Sequence, residues 1–260
     1  MTWVIGRAGP FGHAIGLSDI RITLSDGSEH DCLQKVYRIG ACIALGFAGS
    51  VKIGLEIANR LSNGLYVPDV EGKWDPLFVA RSMPEDTKRL FDRFPNSEKD
   101  LGCHLMLLSV DPRRNDGVAP WARCYVHILK SPNFEPIEAP QDEIVSIGSG
   151  SGISVYKEAL SSLSQDMEVF KLEMGMPGGS GLGIMATITD LLNNYPAPGI
   201  SRFLHLVLVG RDSIRISENS PFIHSNASSG SKMPKIATNM EELEKILGQL
   251  GVSSIEGINC

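Results

Sequence analysis

Cys42-Ile43-Ala44-Leu45-Gly46-Phe47-Ala48-Gly49-Ser50-Val51-Lys52-Ile53-Gly54-Leu55 changes its hydrophobic pattern midway. Residues 42–47 read as a strand, whereas from Ser50 the apolar positions Val51, Leu55, Ala58 and Leu61 recur at three or four residues. A strand therefore enters an amphipathic helix through Ala48-Gly49-Ser50, with serine as the start and Asn63-Gly64 as the stop. Upstream, residues 2–7, 14–24 and 34–39 read as further strands, divided by glycines and by Ser25-Asp26-Gly27-Ser28. Such breaks predict hairpins and antiparallel pairing.

Downstream, Asp75-Pro76 is a helix start with proline in the first turn, and the helical region runs, interrupted at Pro84, to about Phe94. Strand signals return at residues 103–110, 122–129 and 143–147. A helical stretch reaches Leu163, another covers residues 183–194, and strands follow at 203–209 and 214–217. This order of strands, helices, strands, helices and strands predicts an α+β domain rather than an alternating parallel sheet. Residues 103–108 and 203–209 are too apolar for one wet face, so two sheets stacked between helical layers are expected. Residues 218–238, rich in serine and asparagine, read as a tether. Beyond it Leu243, Ile246, Leu247 and Leu250 form a helical stripe, capped near Thr238 or Asn239 and stopped by Gly251. That helix packs either on its own domain or on a neighbouring subunit. The expected division is a domain over residues 1–217 and a linker with a helix over 218–260.

Composition narrows the function classes. The 260 residues carry 30 acidic and 24 basic side chains, a net charge of −6, with no lysine/arginine run. No nucleic-acid partner and no anionic membrane surface is expected. No apolar run reaches the roughly 18 residues of a membrane span, and the location expected is cytoplasmic. Cys32, Cys42, Cys103, Cys124 and Cys260 include no CxxC pair and no histidine at zinc spacing, so neither a disulfide framework nor a metal site is expected, and no cofactor. The glycines at 148–152 and 178–183 match neither GxxxxGK[ST] nor GxGxxG and read as turns before helices. Ser149 and Ser180 lack the GxSxG spacing of a nucleophile elbow. His104, His127 and His205 lie inside apolar strands and read as satisfied core residues.

One constellation carries chemistry: Thr2, Asp19 with Arg21 and Thr23, Lys35, and Gly49 at the strand-to-helix corner. A threonine hydroxyl is a weak nucleophile, but at a chain start the α-amine of the same residue can take its proton. An ammonium nearby disfavours a second positive charge and keeps that amine neutral. Lys35 is placed to do this with Asp19 fixing it, and the Gly49 N–H opens a helix where an oxyanion would be held. Each residue has a plainer reading: an Asp19–Arg21 strand salt bridge, a surface Lys35, a cap at Gly49.

Gly16-Leu17-Ser18-Asp19-Ile20-Arg21-Ile22-Thr23, Gln34-Lys35-Val36-Tyr37-Arg38-Ile39 and Ala44-Leu45-Gly46-Phe47-Ala48-Gly49-Ser50 together resemble the proteasome β-type threonine peptidases, a branch of the N-terminal-nucleophile hydrolases. The segments match that family's D-x-R-x-T, K-x-x-x-I and G-x-A-G pattern, most fully over residues 2–61, with a weaker likeness at Ile147-Gly148-Ser149-Gly150 and over residues 183–216. The resemblance implies a four-layer αββα sandwich and a peptidase in which Thr2 is nucleophile and base. Asp19 and Lys35 would support it, Gly49 would supply the oxyanion donor and Ser149 would join the proton network. Thr23 and Val51 would line the substrate strand, and Phe47 the pocket for the residue before the scissile bond. It further implies a homo-oligomeric ring, peptide or unfolded-protein substrates, and an ATP-dependent unfoldase as a partner. Two departures stand out: a longer first hairpin near Gly9-Pro10-Phe11-Gly12, and Tyr195-Pro196-Ala197-Pro198-Gly199 where the family places an aspartate and a serine. A catalytically silent ring subunit and an amidase on a small amide remain alternatives.

Overall fold

In the computed structural model, which describes residues 2–65, 75–111, 122–176, 179–211, 213–216, 234–252 and 257–260, the chain begins with short strands. These are β1 (Val4–Ala8), β2 (Ala14–Asp19), β3 (Arg21–Thr23), β4 (Glu29–Asp31), β5 (Val36–Gly40) and β6 (Ile43–Gly49). Helices α1 (Val51–Leu65), α2 (Pro76–Phe91) and α3 (Asn96–Lys99) follow, then β7 (Cys103–Val110), β8 (Cys124–Lys130), β9 (Ile137–Glu138) and β10 (Ile144–Ile147). Helices α4 (Ser154–Ser164), α5 (Met167–Gly175) and α6 (Gly179–Asn194) lead to β11 (Leu204–Val209), β12 (Ile214–Ile216) and α7 (Met240–Gln249).

The architecture is mixed α+β with antiparallel sheets. One five-stranded sheet has the order β10-β1-β2-β11-β12 and another β5-β6-β7-β8-β9, with β3 and β4 forming a small hairpin. Strands β1 and β2 run against β7 and β8 of the other sheet. Two small residues permit this approach: a Cβ on Gly6 would lie 2.5 Å from Met106 Sδ, and one on Gly16 2.4 Å from Leu108 Cδ1. Val4, Ala14 and Val207 share a core with Ala44, Met106, Leu108 and Val126. Because side chains alternate along a strand, Trp3, Ile5 and Leu17 face the opposite way. They meet Tyr156 and Leu160 of α4 and Ile184 and Ile188 of α6, with the Trp3 and Tyr156 rings stacked at 4.5 Å. The second sheet is packed by α1 and α2.

Three differences from the sequence reading stand out, and one open alternative is decided. The strand expected over residues 14–24 breaks at Ile20, whose carbonyl accepts the N–H groups of both Cys32 and Leu33, so β2 and β3 enter different sheets. Helix α2 continues through Pro84 instead of being interrupted there. Burial of Val79, Ala80, Met83, Thr87 and Leu90 on one face outweighs the missing proline N–H. Helix α6 begins at Gly179, and α3, α5, β4 and β9 had no sequence signal strong enough to mark them. Most of the expected tether, residues 218–233, lies outside the described residues, but Ala237 is bridged to Leu33 and the fully buried Leu243 and Leu247 set α7 into the core of its own chain.

Candidate active site

Thr2 is delivered by β1 to the end of β10, where the register Val4↔Ile147 brings the Gly148 turn beside it. Gly148 has φ +88°, and a Cβ there would lie 2.4 Å from the Thr2 carbonyl oxygen, so only glycine lets the turn close against Thr2. Ser149 Oγ then accepts the Thr2 N–H at 2.9 Å, and the Gly150 N–H donates to the Thr2 carbonyl at 3.1 Å. With Ser149 Oγ also donating to the Thr2 carbonyl at 3.3 Å, three bonds to one short turn fix the backbone of Thr2.

The side chain of Thr2 meets Lys35, which lies just before β5. Lys35 Nζ donates to Thr2 Oγ1 at 2.5 Å, to Asp19 Oδ1 at 2.6 Å and to the Arg21 carbonyl at 2.5 Å, so all three ammonium protons are committed. Asp19 sits where β2 ends at the Ile20 break, and its carboxylate also accepts the Trp3 N–H at 2.6 Å and the Arg21 N–H at 2.8 Å. Thr2, Asp19 and Lys35 are all fully buried. Burial raises the Asp19 carboxyl above its ordinary value, against the opposing pull of the Lys35 ammonium and the two backbone amides. The Arg21 guanidinium makes no hydrogen bond to Asp19. It donates to Asp31 at 2.7 Å and to Glu29 at 2.8 Å across the β3–β4 hairpin, which replaces the strand salt bridge considered from sequence.

Gly49 closes β6 with φ +104°, and a Cβ there would stand 2.3 Å from the Gly102 carbonyl oxygen. Ser50 caps α1: its Oγ accepts the Ile53 N–H at 3.3 Å and donates to Glu98 Oε2 at 2.5 Å. The N–H groups of Gly49 and Val51 are left facing a cleft whose opposite wall is Thr23 of β3. Residues 258–260 lie in that cleft as an extended strand, antiparallel to both walls.

No protein-family model matches the chain, and no curated protein sequence does.

The tertiary structure thus brings Thr2, Asp19, Lys35, Gly49 and Ser149 to one place, with Thr23 and Val51 on the cleft walls. Phe47 joins Lys35 through its backbone, its N–H donating to the Lys35 carbonyl at 3.1 Å, while its fully buried ring stacks on Tyr37 at 6.1 Å and packs against Gly54 of α1. The loop at residues 195–199 is tied through its backbone, the Tyr195 carbonyl accepting the Tyr156 hydroxyl and the Gly199 N–H donating to Glu29. Two participants escaped the sequence reading. Glu98, buried beneath the start of α1, sits in the charged run Ser97-Glu98-Lys99-Asp100 that carries no mark of burial, and residues 257–260 carry no motif. The expectation of satisfied core histidines is corrected at His127, whose buried Nδ1 has no hydrogen-bond partner among the described residues, and at His205. Neither of its ring nitrogens has a hydrogen-bond partner among the described residues, and burial with the Lys35 ammonium nearby pushes its pKa down to about 4.

Chemically, the cluster presents a hydroxyl held by an ammonium and backbone N–H groups aimed at the same cleft. Such a set suits attack on a carbonyl whose oxygen becomes negative in the transition state.

Proposed function

We propose that the protein is a threonine peptidase of the proteasome β type, built on the four-layer αββα sandwich of the N-terminal-nucleophile hydrolases. The observation that carries this reading is the three-way contact of Lys35 Nζ with Thr2 Oγ1, Asp19 Oδ1 and the Arg21 carbonyl. A lysine whose head group is fully buried against a hydroxyl serves no surface role.

Removal of Met1 frees the Thr2 α-amine, the nitrogen held by Ser149 Oγ. Thr2 Oγ1 then attacks the substrate carbonyl carbon while its proton passes to that amine. The new oxyanion is held by the Gly49 N–H. Collapse breaks the peptide C–N bond, the amine proton goes to the leaving nitrogen, and an ester to Thr2 remains. Water, deprotonated by the same amine, attacks the ester and returns Thr2. The Lys35 ammonium favours negative character on Oγ1 and keeps the amine neutral, while Asp19 holds Lys35 in place. Extended peptides or unfolded proteins are the substrates, paired to the backbones of Thr23 and residues 49–51. In this reading copies of the chain close into a homo-oligomeric ring in the cytoplasm, fed by an ATP-dependent unfoldase.

The test is intact mass combined with peptide turnover. Active material is expected to lack Met1, Thr2→Ala and Lys35→Ala to lose at least ~10³-fold, and Ser149→Ala to lose less than about 100-fold. Activity in protein that keeps Met1, or in Thr2→Ala, overturns the assignment. A second reading, a catalytically silent subunit of the same fold, is favoured by Tyr195-Pro196-Ala197-Pro198-Gly199 in place of the aspartate and serine. Processed protein that fails to react with a threonine-directed electrophile decides for it.

A further inference from the structure

The strand in the cleft belongs to the chain itself. Thr23 and Asn259 exchange two backbone hydrogen bonds, Thr23 N–H to the Asn259 carbonyl at 2.7 Å and Asn259 N–H to the Thr23 carbonyl at 3.0 Å. On the other wall Gly49 and Cys260 do the same at 3.0 Å each, and the Val51 N–H donates to the Ile258 carbonyl at 3.1 Å. Ile258 and Cys260 face inward, as residues two apart on a strand must, and both are buried. The Gly49 N–H, the donor assigned above to the oxyanion, is therefore occupied by the Cys260 carbonyl.

The side chain of Cys260 reaches the same site. Its Sγ donates to the Gly49 carbonyl at 3.2 Å. Burial pushes the thiol pKa up, against the pull of the Lys35 ammonium and of a hydrogen bond with the Thr2 side chain. Upstream, the Gly257 N–H donates to Glu98 Oε1 at 3.4 Å, the carboxylate that also accepts Ser50 Oγ at the start of α1. Leu243 and Leu247 of α7 share the core that also receives Ile258 and Cys260.

We propose that residues 257–260 are an intramolecular occupant of the substrate cleft, docked as the acyl side of a peptide would dock, and that the enzyme is latent until this strand leaves. Cys260 stands where the residue before the scissile bond belongs, and Ile258 two places before it. Main-chain pairing supplies most of the hold, as in strand addition to an open edge. It is the kind of hold that a competing peptide can replace bond for bond. The latency rests on the peptidase reading; the occupancy does not.

Binding tests the occupancy without chemistry. In a Thr2→Ala background, a fluorescein-labelled Gly-Ile-Asn-Cys peptide is titrated by fluorescence anisotropy against the full chain, against the chain carrying Asn259→Pro, and against a chain ended at residue 256. Proline removes the N–H that pairs with Thr23. A tethered strand competes at an effective concentration on the order of millimolar, so both opened proteins are expected to bind the peptide at least ~10-fold more tightly than the full chain. Equal affinity for all three, or no binding to opened proteins whose circular dichroism is native, overturns the proposal. With Thr2 present, Asn259→Pro is expected to raise the rate of labelling by a threonine-directed peptide electrophile at least ~10-fold. Opened protein that binds the peptide but is never labelled keeps the occupancy and removes the peptidase reading and, with it, the latency.

Discussion

Replacing Lys35 by Met keeps length and apolar bulk but deletes the ammonium that joins Thr2, Asp19 and the Arg21 carbonyl. Asp19 is then a fully buried carboxylate with only the Trp3 and Arg21 backbone N–H groups for partners. Stranding one member of a buried ion pair costs about 3–5 kcal/mol, a large part of a typical domain's stability. Asp19→Asn strands the ammonium instead and carries a similar cost. The double substitution Asp19→Asn with Lys35→Met strands neither charge, so its cost is expected to fall below the sum of the singles by at least ~2 kcal/mol. Urea unfolding of the four proteins measures this coupling. The pH dependence has a definite sign. Without the ammonium nothing but the two amides offsets desolvation, so the Asp19 carboxyl of Lys35→Met rises further above its unfolded value. The native state then binds more protons than the unfolded state, and stability falls as pH rises. The penalty of Lys35→Met is thus expected to be larger near pH 8 than near pH 5. Strictly additive singles, or a Lys35→Met protein within about 1 kcal/mol of the wild type at pH 8, would refute the reasoning.

His205 gives the opposite slope: its pKa is lowered to about 4 in the fold against 6.5 as the ordinary value. The unfolded chain binds more protons between those values, so about 3 kcal/mol of stability is lost as pH falls from 6.5 to 4, and His205→Gln should flatten this slope in urea unfolding. Gly49→Ala forces a side chain to φ +104° with its Cβ 2.3 Å from the Gly102 carbonyl oxygen. A cost of at least ~1–3 kcal/mol is expected from thermal unfolding, and turnover should drop about 10²–10³-fold as the Gly49 N–H shifts. A wild-type melting temperature for Gly49→Ala would contradict the close approach.

Sequence alone settled whatever is decided within a few residues. Ser50 and the stripe Val51, Leu55, Ala58 placed α1, Asp75-Pro76 placed the start of α2, and unbroken apolar runs placed β7 and β11, because capping and periodicity act locally. The order of Thr2, Asp19, Lys35 and Gly49 was enough to nominate a site, although Lys35 lies 33 residues from Thr2 and 16 from Asp19. Only tertiary structure decided that Asp19 turns to Lys35 rather than Arg21. That depends on the break at Ile20, whose carbonyl accepts the N–H groups of Cys32 and Leu33 beyond the β3–β4 hairpin. The same holds for Phe47, whose face is set by Gly54 and Tyr37, and for Glu98, a charge that is buried only because Ser50 and Gly257 come to it. Residues 257–260 are the extreme case. Cys260 meets Gly49 across 211 residues of chain, drawn by backbone groups on Thr23, Gly49 and Val51 that would otherwise be unpaired. Backbone groups are the same at every position, so no pattern of side chains announces where such an edge will be filled.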